Sequence, residues 1–103
     1  MITLESNIKA VADHVSCDLA EEEVILNVKN GVYYGLDDMG ALIWKLVQSS
    51  ITVEQVVNAV TSEYNVDRER CAKDMIDFFT NLESYGLIEV ILLRMVPAII
   101  ILV

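Results

Sequence analysis

Val24-Ile-Leu-Asn-Val-Lys-Asn-Gly-Val-Tyr-Tyr-Gly-Leu-Asp-Asp-Met-Gly-Ala-Leu-Ile-Trp-Lys-Leu-Val47 changes its hydrophobic period once, and the fold is read from where it does so. Up to Leu36 the residues alternate and turn. Asn30-Gly31 is the strongest short-range hairpin signal available, because a two-residue type I′ turn needs φ > 0 at both central positions. The flanking runs, 24–28 and 32–36, are rich in β-branched and aromatic residues, as strands are. Val24, Leu26 and Val28 share one face, and a two-residue turn sets Tyr33 opposite Val28. Tyr33 is therefore expected in the core and Tyr34 toward solvent. Gly35 offers no side chain to pack and marks a bulge or a close backbone approach. At Asp37 the period lengthens to that of a helix, with Met39, Leu42, Ile43 and Leu46 on one face. Asp37 suits the N-cap and Asp38 the first turn. A hairpin thus feeds directly into a helix.

Composition limits the partners. The 103 residues are enough for one domain with a modest core that needs neither disulfide nor metal. Net charge is −9, and residues 1–90 hold all 16 acids and six of the seven bases. Nucleic acid is excluded as a partner on this balance, since its affinity comes from Lys and Arg neutralising phosphates. A basic peptide or protein surface suits the field better. Cys17 and Cys71 have neither CxxC nor metal-ligand spacing and read as two buried, reduced thiols, with a long-range disulfide between them as the alternative. The N-terminus lacks the basic-then-apolar pattern of a secretory signal, which points to the cytoplasm.

In chain order, residues 1–12 have weak periodicity and read as an arm or a marginal strand. Val15 to Leu19 alternates and supplies a first strand, and Glu21-Glu22-Glu23 is a solvated acidic connection into the hairpin. The resulting three-stranded meander needs an apolar cover on one face. Three helices supply it. The first runs from Asp38 to about Gln48. The second opens with the capping box Thr52-Val-Glu-Gln55, buries Val56, Val57, Val60 and Tyr64, and is closed by Asn65. The third starts at the N-cap Asp67 and runs to Tyr85, with Gly86 as its stop. Leu87 to Val90 returns as a short closing strand. These pieces make an α+β, winged-helix-like domain over residues 13–90.

The third helix is apolar over about half its circumference, at roughly 100° per residue: Cys71, Ala72, Met75, Ile76, Phe78, Phe79 and Leu82. A helix on a single core shows a stripe of little more than 100°. Either both sides are buried, or one side packs the core while the other lines a groove with Asp74, Asp77 and Asn81 on its rim.

Nothing supports catalysis, a metal or a cofactor. His14 is the only histidine, with Asp13 as its sole near acid, and neither cysteine has an activating neighbour. Phosphate-binding Gly-rich loops and serine nucleophile elbows are absent. Residues 91–103, Ile-Leu-Leu-Arg-Met-Val-Pro-Ala-Ile-Ile-Ile-Leu-Val, are too short to span a bilayer and are interrupted by Arg94 and Pro97. This apolar tail reads as a buried strand or a sticky segment. It can pair with a sheet edge of its own or another copy, making a homodimer, or dock on an apolar patch or a membrane-associated partner.

The segment Asn30-Gly-Val-Tyr-Tyr-Gly-Leu-Asp-Asp-Met-Gly-Ala-Leu-Ile-Trp-Lys-Leu46 resembles the signature of the PqqD-like family. Thr52-Val-Glu-Gln, Glu63-Tyr-Asn-Val-Asp67, Phe78-Phe-Thr-Asn-Leu and Gly86-Leu-Ile-Glu89 extend the resemblance over residues 12–90. It is similar above all to the stand-alone members of lasso-peptide clusters, which act as recognition elements for ribosomally made, post-translationally modified peptides. The resemblance implies a winged helix-turn-helix, with a three-stranded antiparallel sheet packed on three helices. It implies a non-catalytic role: gripping a precursor's leader peptide and delivering it to a leader peptidase and a cyclase. Carried over, the leader would add as a strand along Val32, Tyr33, Tyr34, Gly35 and Leu36. Its side chains would enter pockets from Met75, Phe78 and Leu82, rimmed by Asp74, Asp77 and Asn81. A tail lying on the third strand would block that site. Two alternatives accompany this reading: a peptide chaperone for a radical-SAM enzyme, and an acidic winged-helix oligomerisation subunit without a peptide ligand.

Overall fold

Strand β1 (Asn7–Ala10) lies at the centre of a sheet that the alternation pattern alone does not assemble. The computed structural model describes residues 1–12, 14–19 and 22–91, with the backbone alone for residues 15, 17–19 and 22. Beyond β1 the elements are β2 (His14–Leu19), β3 (Glu22–Asn27), β4 (Val32–Leu36), α1 (Asp38–Leu46), β5 (Ile51–Thr52), α2 (Val53–Glu63), α3 (Arg68–Ser84) and β6 (Ile88–Ile91). Asp13, Glu21 and the tail after Ile91 fall outside the described residues, as does the side chain of Cys17.

Among the described residues, two three-stranded antiparallel sheets form where one was expected. The expected meander is present, in the order β2-β3-β4. The second sheet has the order β5-β1-β6, and its strands come from three distant parts of the chain. Both partners of β1 are remote in sequence, so local patterning gives no sign of the pairing. The N-terminal segment is tied in further by its backbone. Ala10 N–H donates to Val47 O at 2.8 Å and Val11 N–H to Leu87 O at 3.0 Å, while Ser6 O accepts from Val53 N–H at 3.1 Å. Ile2 and Ile8 are buried in the common core with Val53, Val57, Phe79 and Leu87.

The hairpin differs from a two-residue turn. Asn27 pairs with Val32, leaving residues 28–31 as a four-residue loop. Gly31 N–H closes it onto Asn27 O at 2.8 Å, and Gly31 takes φ +71°, which glycine adopts without a Cβ clash. The cause is Asn27. Its side-chain Oδ1 accepts from Lys29 N–H at 3.0 Å and starts the turn two residues early. Tyr33 consequently pairs with Leu26 rather than Val28. A two-residue offset preserves the faces of a strand, whereas a one-residue offset would exchange them.

The buried face of β3 is nevertheless the opposite of the expected one. Ile25 and Asn27 are buried, Val24 and Leu26 are half-buried, and Val28 is exposed in the loop. On β4 the order of the tyrosines reverses with it. Tyr33 is 68% exposed, and Tyr34 is half-buried, stacked on Tyr85 at 5.4 Å between centroids. The run 24–26 is apolar at every position, so alternation cannot say which face turns inward. Gly35 makes no bulge: it pairs in register with Val24, and a Cβ there would meet nothing within 4 Å among the described residues.

The helices follow their caps. Asp37 Oδ1 accepts from Gly40 N–H at 2.8 Å, and Asp67 Oδ2 from Arg70 N–H at 2.9 Å. In α2 both halves of the capping box form, with Thr52 Oγ1 accepting from Gln55 N–H at 3.1 Å and Gln55 Oε1 from Thr52 N–H at 3.0 Å. Helix α2 ends on an extended Tyr64. At the end of α3, Leu87 N–H donates to Leu82 O and Gly86 N–H to Glu83 O, each at 3.0 Å, with Gly86 at φ +76°. That is a Schellman closure, and Leu82 and Leu87 are both buried across it. The closure turns the chain straight into β6.

Candidate peptide-binding groove

β4 is the last strand of its sheet, so among the described residues its outer edge carries no partner strand. An unpaired edge presents a row of N–H and C=O groups able to accept another strand. Asn27 holds this edge in place. Its Oδ1 serves the hairpin loop, while its Nδ2 donates to Tyr85 O at 3.2 Å, just beyond the end of α3. Together with the Tyr34–Tyr85 stack, this contact ties β4 to α3 at one end.

A cleft of about 260 Å³ lies between the start of α1 and the middle of α3, lined by Asp37, Met39, Gly40, Ile43, Asp74, Met75 and Phe78. It begins where β4 ends, because Asp37 joins β4 to α1. A second chamber of about 410 Å³ shares Met39, Asp74 and Met75 with it and is completed by Val60, Val66, Asp67, Arg70 and Cys71. The two adjoin along α3 at these shared residues.

The helix therefore has both kinds of apolar surface. Cys71, Met75, Phe79 and Leu82 are buried, whereas Phe78 is half-buried and open to the cleft. Of the three residues expected to form pockets, Met75 and Phe78 come together with Asp74. Leu82 is buried in the core cluster beside the Schellman closure. Asp77 and Asn81 are exposed and, at about 100° per residue, continue the ridge of α3 that carries Asp74. On the strand, Val32 is 43% exposed and Leu36 is half-buried.

Sequence reading missed the contribution of α1, namely Asp37, Met39, Gly40 and Ile43, and that of the α2–α3 connection, Val66 and Asp67. The first was open to inference. Asp37 is both the end of β4 and the cap of α1, so anything running off the strand edge must pass the first turn of that helix.

The rim is acidic, with Asp37, Asp67 and Asp74 against one base. That base, Arg70, lies 3.9 Å from Asp74, and both side chains are largely exposed. Such an i,i+4 pair contributes well under about 1 kcal/mol and leaves the rim net negative. Inside the larger chamber the surface is neutral. Burial pushes the Cys71 thiol above its ordinary value of 9.0, Asp74 adds to the rise, and Arg68 opposes it. The thiol therefore stays protonated, and Cys71 is a free cysteine.

His14 lies away from the groove. Its Nδ1 hydrogen-bonds Val11 O, and its ring meets the buried Trp44 edge-on at 4.9 Å. These contacts give it a structural place. Among the described residues no cluster of His, Cys, Asp and Glu could hold a metal, and no helix is long and apolar enough to cross a membrane.

A strand edge joined to an apolar, acid-rimmed cleft defines a domain able to hold an extended peptide. Residues 22–88 match the family model described as coenzyme PQQ synthesis protein D, and the chain belongs to the PqqD family. Among solved structures it is similar to TbiB1 in complex with the TbiA(beta) leader peptide, at 36% identity and a TM-score of 0.72, over 79% of this chain and 94% of that one. The same fold occurs in lasso peptide synthetase B1 complexed with the leader peptide, at 24% identity and a TM-score of 0.71, over 80% of this chain and 96% of that one. No curated protein matches the sequence.

Proposed function

We propose that this protein is a non-catalytic module that binds the leader segment of a ribosomally made precursor of the lasso type and presents it to modifying enzymes. The observation that carries the reading is a relative 36% identical, bound to a leader peptide, whose fold this chain shares, with the β4 edge unpaired among the described residues. The leader adds to β4 along Val32, Tyr33, Tyr34, Gly35 and Leu36 as a further strand. Alternate side chains enter the cleft over Met75 and Phe78, while Leu82 supports the wall from beneath. Asp74, Asp77 and Asn81 sit along the rim and favour basic residues in the peptide. In this reading the domain is a winged helix-turn-helix, acts in the cytoplasm, and passes the peptide to a separate leader peptidase and cyclase.

Fluorescence-polarisation titration of a labelled synthetic leader, taken from the precursor gene beside this one, tests the reading. Saturable binding is expected, weakened about tenfold or more by Phe78→Ala, as the loss of a large apolar contact would do. Absence of saturable binding by the intact protein would refute the proposal and favour an oligomerisation subunit.

A further inference from the structure

Helix α1 carries a cavity on each of two faces. Met39, Gly40 and Ile43 line the cleft on the groove side, whereas Ala41, Leu42, Trp44, Lys45 and Gln48 wall a separate cavity of about 550 Å³, completed by Ser16 of β2 and Glu23 of β3. No lining residue is common to the two. Glu23 pairs with Leu36, the last residue of β4, so this cavity lies next to the end of the strand edge. Trp44 is 2% exposed, and its indole Nε1–H is the one buried side-chain polar atom without a hydrogen-bond partner among the described residues. His14 meets the indole ring but takes no hydrogen bond from it. A buried donor left unpaired costs free energy, and an acceptor that reaches it removes the deficit. Gln48 stands one turn further along α1. Its Nε2 donates to Trp44 O at 2.9 Å, which leaves its Oε1 as an acceptor. A donor and an acceptor one helical turn apart complement the C=O and N–H of a single amide group. Glu23 and Lys45 place one charge of each sign on the wall, so this cavity lacks the acidic bias of the groove. Ser16, Lys45 and Gln48 are exposed, which leaves the mouth open to a chain segment.

From this geometry we infer that the cavity is the docking point of the enzyme that receives the bound peptide, which inserts a loop whose uncharged amide pairs with Trp44 and Gln48. The inference rests on the leader-binding reading and adds the place of its second partner. A module that presents a peptide must hold peptide and enzyme at once, and so on separate surfaces. The two faces of α1 meet that requirement. A loop seated between α1 and the β2–β3 pair lies beside the end of β4 and covers neither the strand edge nor the cleft over Met75 and Phe78. Ala41 and Leu42 give it apolar contact, and the indole N–H gives it a fixed direction.

The test uses the intact protein labelled with an NMR-active nitrogen isotope, in which the single tryptophan gives one indole N–H resonance. The probe is the unlabelled leader peptidase encoded beside this gene, added after the synthetic leader is saturating. The peptidase should shift the indole resonance downfield, as a new hydrogen bond does, while leader alone leaves it in place. Ala41→Arg, which fills the cavity, should weaken peptidase association by about tenfold or more, and Gln48→Ala by about fivefold. Leader affinity should stay unchanged in both variants, which also shows that they fold. A peptidase that binds all three proteins equally and leaves the indole resonance unmoved would overturn the docking point and leave the leader site standing. So would a peptidase that does not associate. A resonance that moves with the concentration of this protein alone would assign the cavity to a second copy and overturn the proposal. A parent protein that binds no leader would overturn both readings.

Discussion

Asn27 shows how one polar side chain can set the shape of a site it does not line. It is 5% exposed, and both ends of its amide are used: Oδ1 begins the hairpin loop, and Nδ2 reaches Tyr85 O. Replacing it with alanine strips a partner from two backbone groups at once, which costs about 1–3 kcal/mol when such groups stay dry. Asn27→Ala should lower the stability measured by urea titration by that amount. It should also weaken leader binding, because β4 loses a tie to α3. Gly35 is the contrast. Its φ is not positive and a Cβ there is unopposed, so nothing among the described residues requires glycine at that position.

At the scale of elements, each helix begins on a side-chain cap and its placement follows from the connection. The capping box of α2 is remote from the groove, which touches that helix only at Val60 near its other end. Thr52→Ala should therefore cost about 1 kcal/mol and lower the melting temperature by about 4–8 °C, with leader affinity unchanged. Calorimetry and titration on one sample check both halves. Helix α3 carries two duties on adjacent strips. Phe79 and Leu82 hold the core, and Asp74 and Phe78 face the cleft. The wide apolar surface of this helix is the sum of those strips.

For the whole molecule the governing quantity is charge. A net of −9 surrounds a groove whose rim is itself acidic. A leader with net positive charge should therefore associate several-fold more slowly at about 500 mM salt than at about 50 mM, with dissociation changing much less. Stopped-flow fluorescence separates the two rates. Equal association rates at both salts would place the recognition in the apolar contacts alone.

The amino-acid sequence by itself determined the three helices and their caps, the hairpin, the family resemblance and the acidic balance. These rest on local periodicity, on side chains that hydrogen-bond their own backbone, and on composition. Met75, Phe78 and Asp74 were candidates for a groove because the apolar surface of α3 is wider than one core needs, but the sequence left a fully buried helix equally open; the cleft they line is a feature of the tertiary structure. Other features were decided by tertiary structure. The pairing of β1 with β5 and β6 depends on contacts between distant segments. The inward turn of Tyr34 follows from which face of an all-apolar run packs on the core: Ile25 is buried there, and Tyr34, its pair on β4, stacks on Tyr85. The second chamber exists only because the start of α1, the end of α2 and the start of α3 meet around Met39. No local pattern encodes such a meeting; packing of the whole chain does.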